Sequence, residues 1–227
     1  MNRGYGAAGT ATWGDAMEHE FWHNRWESNE IGFHEGAPNP LLLRHAAALG
    51  LAPGARVFVP LCGKSRDVHW LLGQGFEVVG AELSRLAVEQ LFAELGLAPQ
   101  IADAGPLERF AAGRLTVFVG DIFDLDRHTL GEVRAVYDRA ALVALPDAMR
   151  ERYAAHLGAV THHARQLLIA LDYEPSLLVG PPFSVSEHEV RRLYGDAYHL
   201  TRLETQEVKG GLRGQPVNEV VWLLEPR

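Results

Sequence analysis

VPLCGKSRDVHWL, residues 59–71, closes an apolar run with a glycine, a lysine and a serine. A phosphate loop of the G-x-x-x-x-G-K-[ST] kind needs a glycine five residues before its second one, so that successive N–H groups ring the phosphates. That position is Phe58. Pro60 has no N–H to offer, and Val59 resists the positive φ such loops use. A dinucleotide fingerprint, G-x-G-x-x-G, also fails, because Gly63 stands alone. What remains is a strand, ARVFVPL, that ends in a tight turn and feeds a helix through DVHWLLGQG, capped by Ser65 and stopped by Gly73 and Gly75.

The same unit repeats outward. ARVFVPL is continuously apolar rather than alternating, which suits a parallel strand covered on both faces. FEVVGAEL is a second such strand, and Ser84 caps an amphipathic helix carrying Leu86, Val88, Leu91, Phe92 and Leu95. A hairpin around Ile101 and Phe110 leads to LTVFVGDIF, the third strand. RAVYDRA is the fourth, followed by a helix from about Asp147 to His163 and by QLLIALDY as the fifth. Ser186, with Glu189 three residues on, is a capping box that opens a short helix. Two strands near 198–208 and 217–225 lie too close for a helical crossover and should pair antiparallel. The expected fold is α/β: a doubly wound, mostly parallel, seven-stranded sheet with one antiparallel strand near the C-terminus.

With 227 residues at 47% apolar, the chain can bury one full core. We expect a loosely held extension over residues 1–17, with Met17 a possible native start, and one domain over 18–227. The net charge of −8 argues against general nucleic-acid binding, which needs a basic face. A single cysteine, Cys62, excludes a disulfide framework and suits the cytoplasm. No apolar stretch approaches the roughly 18 residues of a membrane span, and nothing in the sequence demands a protein partner, so a monomer is expected.

Doubly wound sheets bind ligands at the carboxyl ends of their strands. After strand one come Leu61, Cys62, Gly63 and Lys64; after strand two comes Glu82, 19 residues beyond Gly63. A carboxylate there can accept both hydroxyls of a ribose. Asp121 and Ile122 follow strand three, an acid or backbone group for an adenine edge beside an apolar wall, and Asp138 and Arg139 follow strand four. A lone glycine with a ribose-binding acid, lacking pyrophosphate machinery, fits an adenosine ligand without a pyrophosphate, and S-adenosylmethionine is the candidate. Read singly, Glu82 is a solvated strand end and Asp121 a helix cap. Cys62 reads as a small buried loop filler, and Lys64 as a loop residue or a contact for the cofactor carboxylate.

Trp22 and Trp26 are four apart in EFWHNRWESNEIGFH and share a helical face. They can pack on the domain, or roof a cofactor whose sulfonium is attracted by π faces. A competing motif overlaps them: His19-Glu20-Phe21-Trp22-His23 matches H-E-x-x-H, the zinc-hydrolase helix. Its extended form wants glycine where Trp26 stands and histidine where Asn29 stands, and a third ligand would have to come from elsewhere, such as His162 or His163. A metal-free protein is the expectation. A non-catalytic adenosyl-binding module would carry the same contacts and is separated only by turnover.

FWHNRWESNEIGFH, VPLCGKSRDVHWL, VVGAELSRLAVEQLF, GDIFDL, YDRAALVALP and GPPFSVSEHEVRRLYG together resemble thiopurine S-methyltransferases, particularly the bacterial branch, over about residues 18–225. The resemblance implies a class I methyltransferase fold and methyl transfer from S-adenosylmethionine to the sulfur of aromatic or heterocyclic thiols. Selenium or tellurium acceptors in detoxification are a further possibility. It implies cofactor contacts at Trp26, Leu61, Glu82 and Arg139, and suggests Trp22 in an aromatic lid and Asp121 with Ile122 at the adenine. Phe33, Pro181 and Pro182 would wall the acceptor pocket, and Arg139 would reach both sides. The family's C-terminal loop carries a further arginine near the acceptor; the loop ETQEVKGGLRGQPVNEV is shorter here, leaving Arg213 as the candidate. Transfer from a sulfonium needs alignment rather than a covalent residue. Arg139 is therefore expected to stabilise acceptor charge, with Asp138 orienting the arginine or relaying a proton.

Overall fold

The apolar run that ends at Pro60 is the strand Arg56–Pro60, and its alternating side chains explain the layers around it. Val57 and Val59 face one hydrophobic cluster and Phe58 faces the other, as the period of two in a strand requires. A computed structural model describes residues 13–28 and 36–227, with side chains from residue 20 onward. In chain order the elements are α1 (Trp13–Glu27), α2 (Pro40–His45), β1 (Arg56–Pro60), α3 (Arg66–Gly73), β2 (Glu77–Glu82) and α4 (Arg85–Glu94). There follow β3 (Gln100–Ala104), β4 (Leu107–Ala112), β5 (Leu115–Val119), α5 (Arg127–Leu130), β6 (Ala135–Arg139) and α6 (Asp147–Thr161). β7 (Arg165–Asp172), α7 (Glu187–Tyr194), β8 (Tyr198–Glu207) and β9 (Asn218–Pro226) complete the chain.

The strands form one sheet in the order β3-β4-β5-β2-β1-β6-β7-β9-β8. β5, β2, β1, β6 and β7 run parallel, and β9 lies antiparallel between β7 and β8. This is the expected doubly wound sheet with its reversed strand near the C-terminus. It is two strands wider than the seven anticipated, because the hairpin of β3 and β4 extends it antiparallel from β5. Leu107 and Phe110 of that hairpin are buried, while β3 is largely exposed, as befits an outermost strand.

Helices cover both faces. Leu41 and Leu42 of α2, Val68 and Leu71 of α3, and Val88, Leu91 and Phe92 of α4 pack on one. Leu130 of α5, Tyr153 and Leu157 of α6, and Val190 and Tyr194 of α7 pack on the other. The caps read from sequence hold: the Ser65, Ser84 and Ser186 side chains accept from the N–H groups of Asp67, Ala87 and Glu189. Glu189 itself is used otherwise, since its carboxylate binds Arg150 at 2.7 Å. Of the stretch expected to be an extension, residues 1–12 lie outside the described residues and residues 13–17 begin α1.

Candidate active site

β1 pairs with β2 on one side and β6 on the other, so the chain reverses its winding there, and a cavity opens over the carboxyl ends of these strands. Trp22, Trp26, Leu61, Gly63, Glu82, Asp121, Ile122, Arg139, Pro181 and Pro182 all line it. Asp138 and Arg213 do not, and Phe33 lies outside the described residues.

Gly63 needs to be glycine for a reason other than phosphate. Its φ is +51°, and a Cβ would come within 3.1 Å of the Trp26 ring. In that conformation its N–H points at Glu82 and donates to Oε2 at 2.8 Å, while the Ser84 N–H donates to Oε1 at 2.8 Å. One N–H thus pins each carboxylate oxygen and leaves acceptor capacity on both. Burial raises the Glu82 pKa, against the opposing pull of the Ser84, Gly63 and Leu83 N–H groups. Hydroxyl donors from a ligand would offset that burial by hydrogen-bonding the charged form. Asp121 is indeed a cap, accepting from the Phe123 N–H at 2.9 Å, and it faces the cavity as well.

Cys62 is buried with its sulfur against Gly80, where a Cβ would sit 2.7 Å away. Burial first, then the charge of Glu82, pushes its thiol well above the ordinary value. It is a packed thiol on the cavity wall whose burial disfavours the thiolate. Lys64 pairs with Glu94 of α4 at 3.1 Å, and Arg66 shares that carboxylate at 3.2 Å. Leu61 and Ala140, both on the cavity wall, hold left-handed backbone conformations at φ +46° and +63°. Such positions are costly outside glycine and collect at functional sites.

Asp138 differs from its expected role. Its side chain points to the opposite face from that of Arg139, as neighbours in a strand do, and it is fully buried. Its carboxylate accepts from the Tyr153 hydroxyl at 2.7 Å and the Leu142 N–H at 3.2 Å. Burial, offset by these donors, raises its pKa to about 6. It organises the turn after β6 and is not among the residues that line the cavity. The carboxylate beside Arg139 is instead Asp67, at 3.9 Å. Asp67 is buried and also accepts from the Asn39 N–H at 2.6 Å and the Tyr137 hydroxyl at 2.8 Å. Nothing local in the sequence distinguishes Asp67 from an ordinary first-turn helix acid. Arg213 donates to the carbonyls of Val179 and Pro181 at 2.9 and 3.1 Å rather than facing the cavity.

The geometry of Gly63, Glu82 and Asp121 is joined by likeness in sequence. The family model described as "Thiopurine S-methyltransferase (TPMT)" matches residues 17–224. The chain belongs to the thiopurine S-methyltransferase family. It is 58% identical over 211 residues to a thiopurine S-methyltransferase of Xanthobacter autotrophicus, covering 92% of this chain and 99% of that one. A thiopurine S-methyltransferase of Gluconobacter oxydans is 54% identical over 207 residues, covering 91% and 94%. Among solved structures, the 1,6-didemethyltoxoflavin-N1-methyltransferase of Burkholderia thailandensis, with bound S-adenosylhomocysteine, superposes with a TM-score of 0.66 at 18% identity. It covers 98% of this chain and 94% of that one, a likeness of fold. The chain is an S-adenosylmethionine-dependent methyltransferase.

The zinc alternative is not favoured by that membership. Glu20 and His23 are exposed, and the side chain of His19 lies outside the described residues. Among the described residues no group of three His, Cys, Asp or Glu could hold a metal ion. His162 and His163 lie where α6 gives way to the start of β7, at the sheet end away from the cavity. Among these residues, no helix is long and apolar enough to cross a membrane.

Proposed function

We propose that this chain methylates the sulfur of an aromatic or heterocyclic thiol, as one domain over residues 18–227 acting as a cytoplasmic monomer. The observation that carries the reading is a largely apolar cavity with a pinned carboxylate, Glu82, on one wall and a guanidinium, Arg139, beside the turns after β6 and β7. The donor, when bound, supplies an electrophilic methyl group on a positively charged sulfur.

Glu82 holds the ribose hydroxyls with the lone pairs its two N–H anchors leave over. Asp121 and Ile122 meet the adenine, and Leu61 and Gly63 line the floor between. Trp22 and Trp26 offer π faces to the cation and keep water out. Pro181 and Pro182 give the acceptor a flat apolar wall, and Arg139 stabilises its negative charge. Asp67 steadies the arginine, acting through it rather than on the substrate. A heterocyclic thiol is acidic enough to arrive as its anion near neutral pH, so neither the neutral Cys62 nor the enclosed Asp138 is asked to take a proton. Alignment of the reactants is then the main lever, on the order of 7–11 kcal/mol for well-oriented pairs.

The test is calorimetry with S-adenosylhomocysteine followed by a methylation screen of aromatic thiols, with selenite and tellurite as the metalloid arm. Binding with thiol turnover supports the reading. Turnover of the metalloids alone would move the acceptor class. Arg139→Ala should slow thiol methylation by roughly 1–3 kcal/mol, the scale of a lost charged hydrogen-bond partner. An unchanged rate at saturating cofactor removes Arg139 from the mechanism.

A further inference from the structure

Pro181 and Pro182 form part of the cavity wall, yet neither has an N–H. A turn containing them is tied to the rest of the fold mainly through its carbonyls. All three of the carbonyls that matter have side-chain donors. The Arg213 Nη1 donates to Val179 O at 2.9 Å and its Nη2 to Pro181 O at 3.1 Å, while the Tyr173 hydroxyl donates to Pro182 O at 2.7 Å. Ordinary main-chain pairing resumes just beyond, where the Phe183 N–H donates to Val143 O at 2.6 Å. Apolar packing does little for the outer part of this turn, since Val179 is 86% exposed.

Arg213 is itself held out at a tight tip between β8 and β9. The Leu212 N–H donates to Gln215 O and the Gln215 N–H to Leu212 O, at 2.9 and 3.0 Å, with Arg213 at φ +51° between them. A planar guanidinium fork can span two carbonyls at once, whereas an ammonium is a point donor. Arg213 does not line the cavity; the turn it grips does.

We propose that Arg213 is a positioning residue that clamps the Pro181–Pro182 wall through its carbonyls, so that the β8–β9 turn sets acceptor fit without touching the acceptor. This rests on the reading that Pro181 and Pro182 face the acceptor.

The experiment compares the full chain with Arg213→Met and Arg213→Lys. Hydrogen exchange over residues 176–185 is followed without any acceptor, alongside S-adenosylhomocysteine affinity and KM for thiophenol and for a mercaptobenzoate. Arg213→Met should speed exchange at Phe183, whose N–H donates to Val143 O, and raise KM for both thiols roughly three- to tenfold. Cofactor affinity should stay within about twofold, which also certifies the fold. Arg213→Lys should recover part of both effects. Unchanged exchange in Arg213→Met overturns the clamp. A KM loss confined to the carboxylate-bearing thiol overturns it too, because that pattern belongs to direct contact. If the unsubstituted protein methylates neither thiol, the acceptor reading fails, and the exchange arm still decides the clamp.

Discussion

Around Glu82 the cavity wall is tied by main-chain donors only 19 and 2 residues away, Gly63 and Ser84. Around Pro181 it is tied by side chains, Tyr173 from 9 residues away and Arg213 from 32. The first region sits on the tips of central parallel strands, whose position follows from the core. The second is made of turns after β6 and β7, and its shape depends on a few charged or hydroxyl donors. In the function proposed above, the cofactor is met by the first region and the acceptor by the second, whose anchors can be exchanged one at a time.

The largest expected effect comes from breaking the second region at its base. Arg150 is buried, donates to Leu145 O at 2.8 Å and binds Glu189 of α7 with the same guanidinium. It also lies over the Phe183 ring at 5.5 Å. Arg150→Met keeps the length but leaves the Leu145 carbonyl without its side-chain donor and the half-buried Glu189 carboxylate with Arg192, 4.0 Å away, as its remaining cation. Denaturant unfolding should show a loss of about 3 kcal/mol, the low end for a broken buried pair because Glu189 keeps some solvent access. The variant should also lose acceptor affinity more than cofactor affinity. Equal losses of both would erase the distinction between the two regions.

That distinction also sets what could be read from the sequence. Gly63, Glu82 and Asp121 were legible because each follows a continuous apolar strand, and strand ends in a doubly wound sheet fall on one side. Ser65, Ser84 and Ser186 were legible because a cap bonds its own neighbours. Asp67 carries no local mark because its partner Tyr137 is 70 residues away, and one residue of strand register decides that Asp138 meets Tyr153 rather than lining the cavity. Arg213 donates to the carbonyls of Val179 and Pro181, and no pattern in a sequence reveals which carbonyls a long side chain will reach. The hairpin of β3 and β4 was visible as a hairpin, and only its pairing with β5 widened the sheet.

Asp138 allows the acceptor region to be probed by pH. Its folded pKa of about 6 lies above the ordinary 3.8, so between these values the folded state holds a proton that the unfolded state has released. Its contribution to stability is fully present below about pH 4 and is lost as pH rises through about 6. Stability of the unsubstituted protein relative to Asp138→Asn should therefore fall by about 2–3 kcal/mol between pH 4 and pH 7. Urea unfolding at several pH values reads this directly. A difference that is flat, or rises with pH, would mean that the turn after β6 admits water to the carboxylate.

The smallest effect tests the first region. In Glu82→Gln one side-chain oxygen must serve where two did, and an NH2 group faces either the Gly63 or the Ser84 N–H, each of which donates to a separate carboxylate oxygen. Relief of the buried charge, whose pKa burial already raises, offsets part of that loss. S-adenosylhomocysteine affinity should drop by about 1–2 kcal/mol, roughly five- to thirtyfold in Kd, as measured by calorimetry. Acceptor KM at saturating cofactor should stay nearly unchanged, because the turns around Pro181 hang from other donors. If Glu82→Gln disturbed the acceptor as much as the cofactor, the two walls would be coupled through the floor at Gly63 and Leu61, and the left-handed backbone at those two residues would be the first place to look for the link.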